Sequence, residues 1–292
     1  MCLVKIEGKA IEKLIDVVSK GIGTIYKPRA IRKGAEAEAY KNEVLAKAQA
    51  KKTLIEGEAK IDLLERAKER LVNQELHRQM NLEGIADKSI KYLDQNVADQ
   101  PVDEDWRIRF FNKAQDISSD EMQEIWAKIL AGEVSHPGKV SLRTLEILSN
   151  ISKTEATIFQ VACSLATSKS FIWKIGRREA FDEFGLSYGD LMLLREAGLI
   201  HDSDNLIKIY RVTPPTNFVL IFIGEELYQF SNPAIPDLKE FKFNQIAFTN
   251  SGTELCSLIK VNSNNDFHKT IYDQRISEGL KLEKIHRSKW TT

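Results

Sequence analysis

The sequence predicts a mostly α protein in three parts: a long N-terminal helical arm (residues 1–98), a central helical bundle (99–170) and a C-terminal winged-helix-like α+β domain (171–292). Three observations predict this. Residues 34–96 are rich in Ala, Glu, Lys and Leu and contain no proline. Residues 101–165 carry helix-capping signals, each followed by apolar residues at helical spacing. Runs rich in β-branched and aromatic residues appear after residue 199. A chain of 292 residues, 42% hydrophobic and 29% charged, is long enough for two domains or more and too apolar for wholesale disorder.

In the arm, Ile11, Leu14, Ile15, Val18, Ile22, Ile25 and Tyr26 follow helical spacing, with Lys9, Glu12, Lys13, Asp16 and Lys20 on the other side. This is an amphipathic helix. Gly21 and Gly23 weaken its second half, and Pro28 ends or kinks it. The stripe is a candidate contact for a second subunit or a membrane surface, or a packing face for the body of the protein. Residues 34–96 read as one long helix or two. Leu54, Ile61, Leu64 and Leu71 share a seam, but it fades upstream and Gly57 interrupts it. A hairpin or a loose oligomeric stalk fits better than a strict coiled coil.

In the middle, Pro101 and Asp103-Glu-Asp105 open a helix with acids in its first turn, where the helix dipole favours them. Ser118-Ser-Asp-Glu121 reads as a capping box, and Met122, Ile125, Trp126, Ile129 and Leu130 form a core-facing stripe behind it. Gly132 closes that helix, and Leu142, Leu145 and Leu148 mark the next. Ser152-Lys-Thr-Glu155 is a second capping box, leading into Ile158, Phe159, Ala162 and Leu165.

In the C-terminal third, Ser187-Tyr-Gly-Asp190 starts a helix and Gly198 caps it. Leu206–Val212, Phe218–Ile223 and Phe243–Phe248 are strand candidates, and Ser251 with Glu254 is a third capping box. A last helix spans about residues 266–286. Helices, then Leu-Leu-x-x-Ala-Gly-Leu-Ile, then strands, then Thr-x-x-Gly-x-Glu-Leu, look like a winged helix. The helix beginning near Ser187 offers Tyr188, Asp190, Arg195 and Glu196, little positive charge for phosphate contacts.

Net charge is zero, 42 basic against 42 acidic side chains, which excludes a uniformly basic nucleic-acid coat. The balance hides a segregation. Residues 27–52 hold eight basic and three acidic side chains, whereas residues 101–130 hold seven acidic and four basic ones. Lys27, Arg29, Arg32 and Lys33, together with Lys174, Arg177 and Arg178, are the candidate polyanion contacts. Lys281, Lys284, Arg287 and Lys289 make a basic tail.

No chemistry-bearing motif stands out. Phosphate loops, Gly-x-Gly-x-x-Gly and Gly-x-Ser-x-Gly are absent, and the five histidines do not pair at metal-ligand spacing. No catalytic residue, cofactor or metal is expected. His201 with Asp202 and Asp204 reads as a solvated turn, and Cys163 as a small core residue. Three scattered cysteines suit a reducing compartment, and no apolar run is long enough to span a bilayer. The expected location is cytoplasmic, or peripheral at the inner membrane.

The central block runs Trp106-Arg-Ile-Arg-Phe-Phe-Asn-Lys-Ala-Gln-Asp-Ile-Ser118, Glu121-Met-Gln-Glu-Ile-Trp-Ala-Lys-Ile-Leu-Ala-Gly-Glu133 and Pro137-Gly-Lys-Val-Ser-Leu-Arg-Thr-Leu-Glu146. It resembles a bacterial family of uncharacterised proteins, domain of unknown function (DUF) 2806, and is similar to the abortive-infection alpha (Abi-alpha) family. Ser19-Lys-Gly-Ile-Gly-Thr-Ile-Tyr-Lys-Pro28 resembles the first family's N-terminal pattern. The resemblance brings no catalytic residues with it and implies a role in antiphage defence. The expected function is non-enzymatic assembly, as a homo-oligomer with an unidentified protein partner. A winged-helix DNA-binding regulator and a peripheral membrane-surface effector stand as the alternatives.

Overall fold

The computed structural model describes residues 8–24, 26–28, 61–176, 178–203 and 205–285. The chain is mixed α+β rather than mostly α, because the C-terminal third carries two three-stranded antiparallel sheets. It divides into two compact units, Met1–Leu145 and Glu146–Thr292.

The N-terminal unit is helical. Helices α1 (Lys9–Ile22), α2 (Ile61–Ser89), α3 (Glu104–Ala114) and α4 (Asp120–Ser135) pack together, and α5 (Leu142–Asn150) spans the boundary at Leu145. Helix α4 is the centre. Trp126, Ala127, Ile129, Leu130, Ala131 and Val134 are all buried, because α1 and α2 both lie against it. The core adds a cluster from α3, with Trp106 stacked on Phe110 at 5.0 Å and Phe110 against Trp126 at 5.2 Å. The expected arm and the expected bundle thus share one core.

Local signals explain the element ends. Asp103 caps α3 by accepting the Trp106 N–H at 2.8 Å. The cap of α4 is Ser119, one residue later than the expected box, and it accepts from the Met122 N–H. Gly132 lies inside α4 rather than closing it, since the helix runs on to Ser135. In α1, Gly23 adopts a left-handed φ of 75° and returns its N–H to Ser19, so the helix stops there, before Pro28. Gly21 reflects close approach: a Cβ there would overlap the Phe111 ring of α3.

A buried carboxylate pins the loop after α4. Glu133, 1% exposed, accepts the Gly138 N–H at 2.7 Å and the Val140 N–H at 3.2 Å. The Val140 carbonyl in turn accepts from the Trp106 indole at 2.8 Å. Burial pushes the Glu133 carboxyl above the ordinary glutamate value, and the backbone donors hold it back.

The C-terminal unit runs α6 (Lys153–Leu165), β1 (Phe171–Trp173), a 3-10 turn (Arg178–Phe184), α7 (Tyr188–Glu196), β2 (Leu206–Arg211), β3 (Phe218–Ile223), β4 (Glu226–Ser231), β5 (Glu240–Ala247), α8 (Asn250–Leu258), α9 (Asn265–Ser277) and β6 (Lys281–Lys284). One sheet has the order β1-β5-β2, with Ile172 opposite Ile246 and Tyr210 opposite Phe241. The second has the order β3-β4-β6, so the β3–β4 hairpin is inserted between two paired strands of the first.

The capping box expected at Ser152/Glu155 forms, and the helix expected to start at Ser187 begins there, with a capping box between Ser187 and Asp190. The expected box at Ser251/Glu254 does not. Thr249 caps α8 instead, accepting the Gly252 N–H at 3.0 Å, and Ser251 is buried in the helix. The expected last helix ends at Ser277, and Lys281 to Lys284 form a strand on β4. Lys281 and Lys284 thus belong to a sheet edge rather than a free basic tail, and Lys284 pairs with Glu226. Alternation in Leu280-Lys-Leu-Glu-Lys284 supplies the strand: Leu282 is buried against Phe230 while its neighbours face out.

Arg275 of α9, 6% exposed, ties the helix to the first sheet. Its guanidinium lies 4.6 Å from the Phe243 ring centroid and 5.8 Å from that of Trp173, and it pairs with Glu278 at 2.7 Å.

Candidate functional site

The apolar stripe of α1 is largely taken up inside the N-terminal unit. Leu14, Val18 and Tyr26 are buried, joined by Val17, which stripe counting omitted. Ile11, Ile15 and Ile22 are half-buried, and Ile25 lies outside the described residues. Tyr26 donates its hydroxyl to Asp87 at 2.7 Å, and its backbone N–H goes to the Ser19 hydroxyl at 3.0 Å. On the polar side, Lys13 donates to the carbonyls of Ala98 and Gln100 at 2.8 and 2.7 Å, and Lys9 pairs with Asp99. Burial lowers the Lys13 pKa. Both flanks of α1 therefore bind within the unit.

The candidate polyanion contacts do not form a described cluster. Lys27 is exposed in the N-terminal unit, and Lys174 is half-buried in the C-terminal one. Arg29, Arg32, Lys33 and Arg177 lie outside the described residues, and Arg178 is described by its backbone alone.

Helix α7 presents a different surface. Leu191 and Leu194 anchor it in the core. Ser187 fixes its start, accepting the Asp190 N–H at 3.2 Å and donating to the Asp190 carboxylate at 2.7 Å. The outward face consists of Tyr188, Met192 and Leu193, 38%, 44% and 39% exposed, with Glu196 beside them. Arg195 is half-buried and points an N–H at the Met192 sulfur, 3.4 Å away. Asp182 and Glu183 of the preceding 3-10 turn are exposed. Among the described residues strand β2 pairs with β5 alone, as an edge strand, and it leaves Ile207 and Ile209 exposed. Sequence reading flagged the lack of positive charge on this helix but not the apolar character of its open face. That character depends on which of Leu191, Met192, Leu193 and Leu194 face inward, and only packing settles it.

A second feature of the C-terminal unit is a pair of adjoining cavities. The first, about 360 Å³, is lined by Cys163, Lys169, Phe222, Cys256, Ile259 and Val261, among others. The second, about 600 Å³, is lined by polar groups including His268, Tyr228, Tyr272, Lys269 and Asp273. Glu225 and Ser263 border both.

His268, on the wall of the second, is buried, and its tautomer follows from its partners. One ring nitrogen, Nε2, lies 3.3 Å from the Leu165 carbonyl, which can only accept, so Nε2 carries the proton. Nδ1 then accepts the Ser263 hydroxyl at 3.0 Å. Burial lowers the His268 pKa and keeps the ring neutral. Gly224, at the β3–β4 turn with φ 59°, lets the backbone approach this ring, since a Cβ would come within 2.7 Å of Nδ1. The turn before β1 is strained. Ser168 and Lys169 both occupy left-handed φ, 49° and 54°, a conformation costing roughly 1–2 kcal/mol per non-glycine residue.

Sequence reading missed both groupings. Cys163 and Cys256 stand on α6 and α8, far apart in the chain, and no spacing rule joins them. Among the described residues no group of three or more His, Cys, Asp or Glu side chains is placed to hold a metal ion. No helix among them is long and apolar enough to cross a membrane.

Comparison with known proteins adds a family and no function. No curated protein and no solved structure matches the chain. The description that matches is "protein of unknown function (DUF2806)", and it covers residues 65–272, from within α2 through to α9. That span takes in the aromatic core of the N-terminal unit, the face of α7, the first cavity and all of the second but Asp273, and on it the chain belongs to the DUF2806 family.

Proposed function

We propose that this protein is a non-enzymatic interaction protein whose C-terminal unit is a winged-helix variant that contacts protein rather than DNA. The order α6, β1, 3-10 turn, α7, β2, β5, with a β1-β5-β2 sheet, supports the winged-helix reading. The inserted β3–β4 hairpin is then an elaboration of the wing. The observation that carries the protein-contact reading is the outward face of α7. A duplex reader needs Lys or Arg aimed at phosphates there. This face instead offers Tyr188, Met192 and Leu193 beside Glu196, the composition of a protein-contact core.

A second copy of the chain is the first partner proposed. Removing α1 does not test this, because α1 supplies core residues of its own unit. The clean test is the full chain carrying Met192→Glu and Leu193→Glu, both at exposed positions. Light scattering is expected to give a wild-type mass above the 33.2 kDa of one chain, and a variant mass equal to it. A wild type of single-chain mass overturns self-assembly. Retardation of duplex DNA that weakens steeply with salt overturns the protein-contact reading.

The resemblance read in the sequence of the central block to the abortive-infection alpha family extends the proposal to antiphage defence. Cells carrying the protein are then expected to plate phage less efficiently than cells without it. Equal plating across a broad phage panel contradicts that role.

A further inference from the structure

Two thiols 93 positions apart in the chain meet at one cavity wall. Cys163 of α6 is half-buried, Cys256 of α8 is 3% exposed, and neither is in a disulfide. Both line the cavity of about 360 Å³. The cavity is the place where α6 and α8 bring these two thiols to one wall. Packing alone does not call for this arrangement, since a small apolar residue fills either position without a thiol partner. The cavity is mainly apolar, with Lys169 and Glu225 as its charged lining, and it is far larger than a peroxide molecule.

We propose that Cys163 and Cys256 form an oxidisable dithiol that reacts with a hydroperoxide admitted through this cavity and closes to an intramolecular disulfide. The two sulfurs have unequal roles. The neighbouring Cys163 thiol lowers the Cys256 pKa, and the Lys169 charge acts in that direction on both sulfurs. Burial pushes the Cys163 thiol up, so it keeps its proton. Lys169 lies in the strained turn before β1, whose left-handed residues bring it to the cavity wall.

The chemistry balances in two steps. The Cys256 thiolate attacks one peroxide oxygen, and the O–O bond breaks. The other oxygen leaves with a proton as water or an alcohol, giving Cys256 sulfenic acid. The Cys163 sulfur then attacks the Cys256 sulfur. An S–S bond forms, the S–O bond breaks, and the hydroxide leaves as water with the proton from Cys163. Two electrons pass from the thiol pair to the peroxide, and an external thiol reverses the change.

The test uses the full chain with Cys2→Ser, so that only this pair remains. Hydrogen peroxide is added, free thiols are alkylated, and peptides are mapped by mass spectrometry. The expected result is a Cys163–Cys256 cross-link, a chain lighter by two hydrogen atoms, and full recovery of alkylation after dithiothreitol. With Cys163→Ser, dimedone is expected to label Cys256, because the sulfenic acid has no resolving thiol. With Cys256→Ser, Cys163 is expected to stay unlabelled. The proposal is overturned if both thiols remain alkylatable after peroxide, if the cross-link joins two chains, or if Cys163 rather than Cys256 is labelled in the single variants.

Discussion

Replacing Glu133 by Ala removes both oxygens that hold the loop after α4. The Val140 N–H is then buried without a protein acceptor, a loss of about 1–3 kcal/mol. Gly138 is exposed, so water replaces its acceptor at little net loss. The one lost side-chain methylene adds about 0.8 kcal/mol. Relief from burying the carboxyl offsets part of this. The net expectation is a loss of about 2–3 kcal/mol in the N-terminal unit. Urea unfolding followed by the fluorescence of Trp106 and Trp126 reads it, because the Trp106 indole donates to Val140 and both rings sit in the same core.

The pH dependence has a definite sign. Folding raises the Glu133 pKa above its ordinary 4.5, so its contribution is fully present below that value and is lost as pH rises through the folded value. The gap between wild type and variant should therefore widen on acidification from neutrality. A loss under about 0.5 kcal/mol, or a gap that narrows on acidification, refutes the role assigned to Glu133.

Two further substitutions test the packing account. Gly21→Ala gains roughly 1 kcal/mol of intrinsic helix propensity but forces a Cβ into the Phe111 ring, an overpacking of about 1–3 kcal/mol, so thermal unfolding should come earlier. Later unfolding contradicts the close approach of α1 to α3. For His268, burial depresses the pKa below its ordinary 6.5, so its contribution is present above that value and is lost as pH falls through the lower folded value. The urea midpoint of the C-terminal unit should fall in this acid window for the wild type and fall less for His268→Gln; identical profiles contradict the buried neutral ring.

Much of the fold is written locally. Ser152 with Glu155 and Ser187 with Asp190 mark helix starts within three residues of sequence, and both boxes form. The aromatic residues of 106–126 were legible as core because helical spacing puts them on one side. Boundaries were less legible where two signals compete. Ser118 and Ser119 are both capable caps, and Thr249 outcompetes Ser251 because its hydroxyl also donates to the Gly198 carbonyl at 2.7 Å. Strand β6 was read as helix because its basic residues suited a tail, although its alternation was visible. The site was hardly legible. The face of α7 lies in a run of Leu and Met whose inward and outward members are chosen by the surrounding core. The cysteine pair exists only because α6 and α8 meet in space.

The most direct test places a photoreactive benzophenone side chain at position 192 of the full-length protein, in the middle of the α7 face. Irradiation of the purified protein, with duplex DNA present, is expected to give a cross-link from position 192 to a second copy of the chain and none to the nucleic acid. A cross-link to DNA, or a chain left uncoupled at concentrations where light scattering reports assembly, contradicts the claim that α7 is a protein-contact surface.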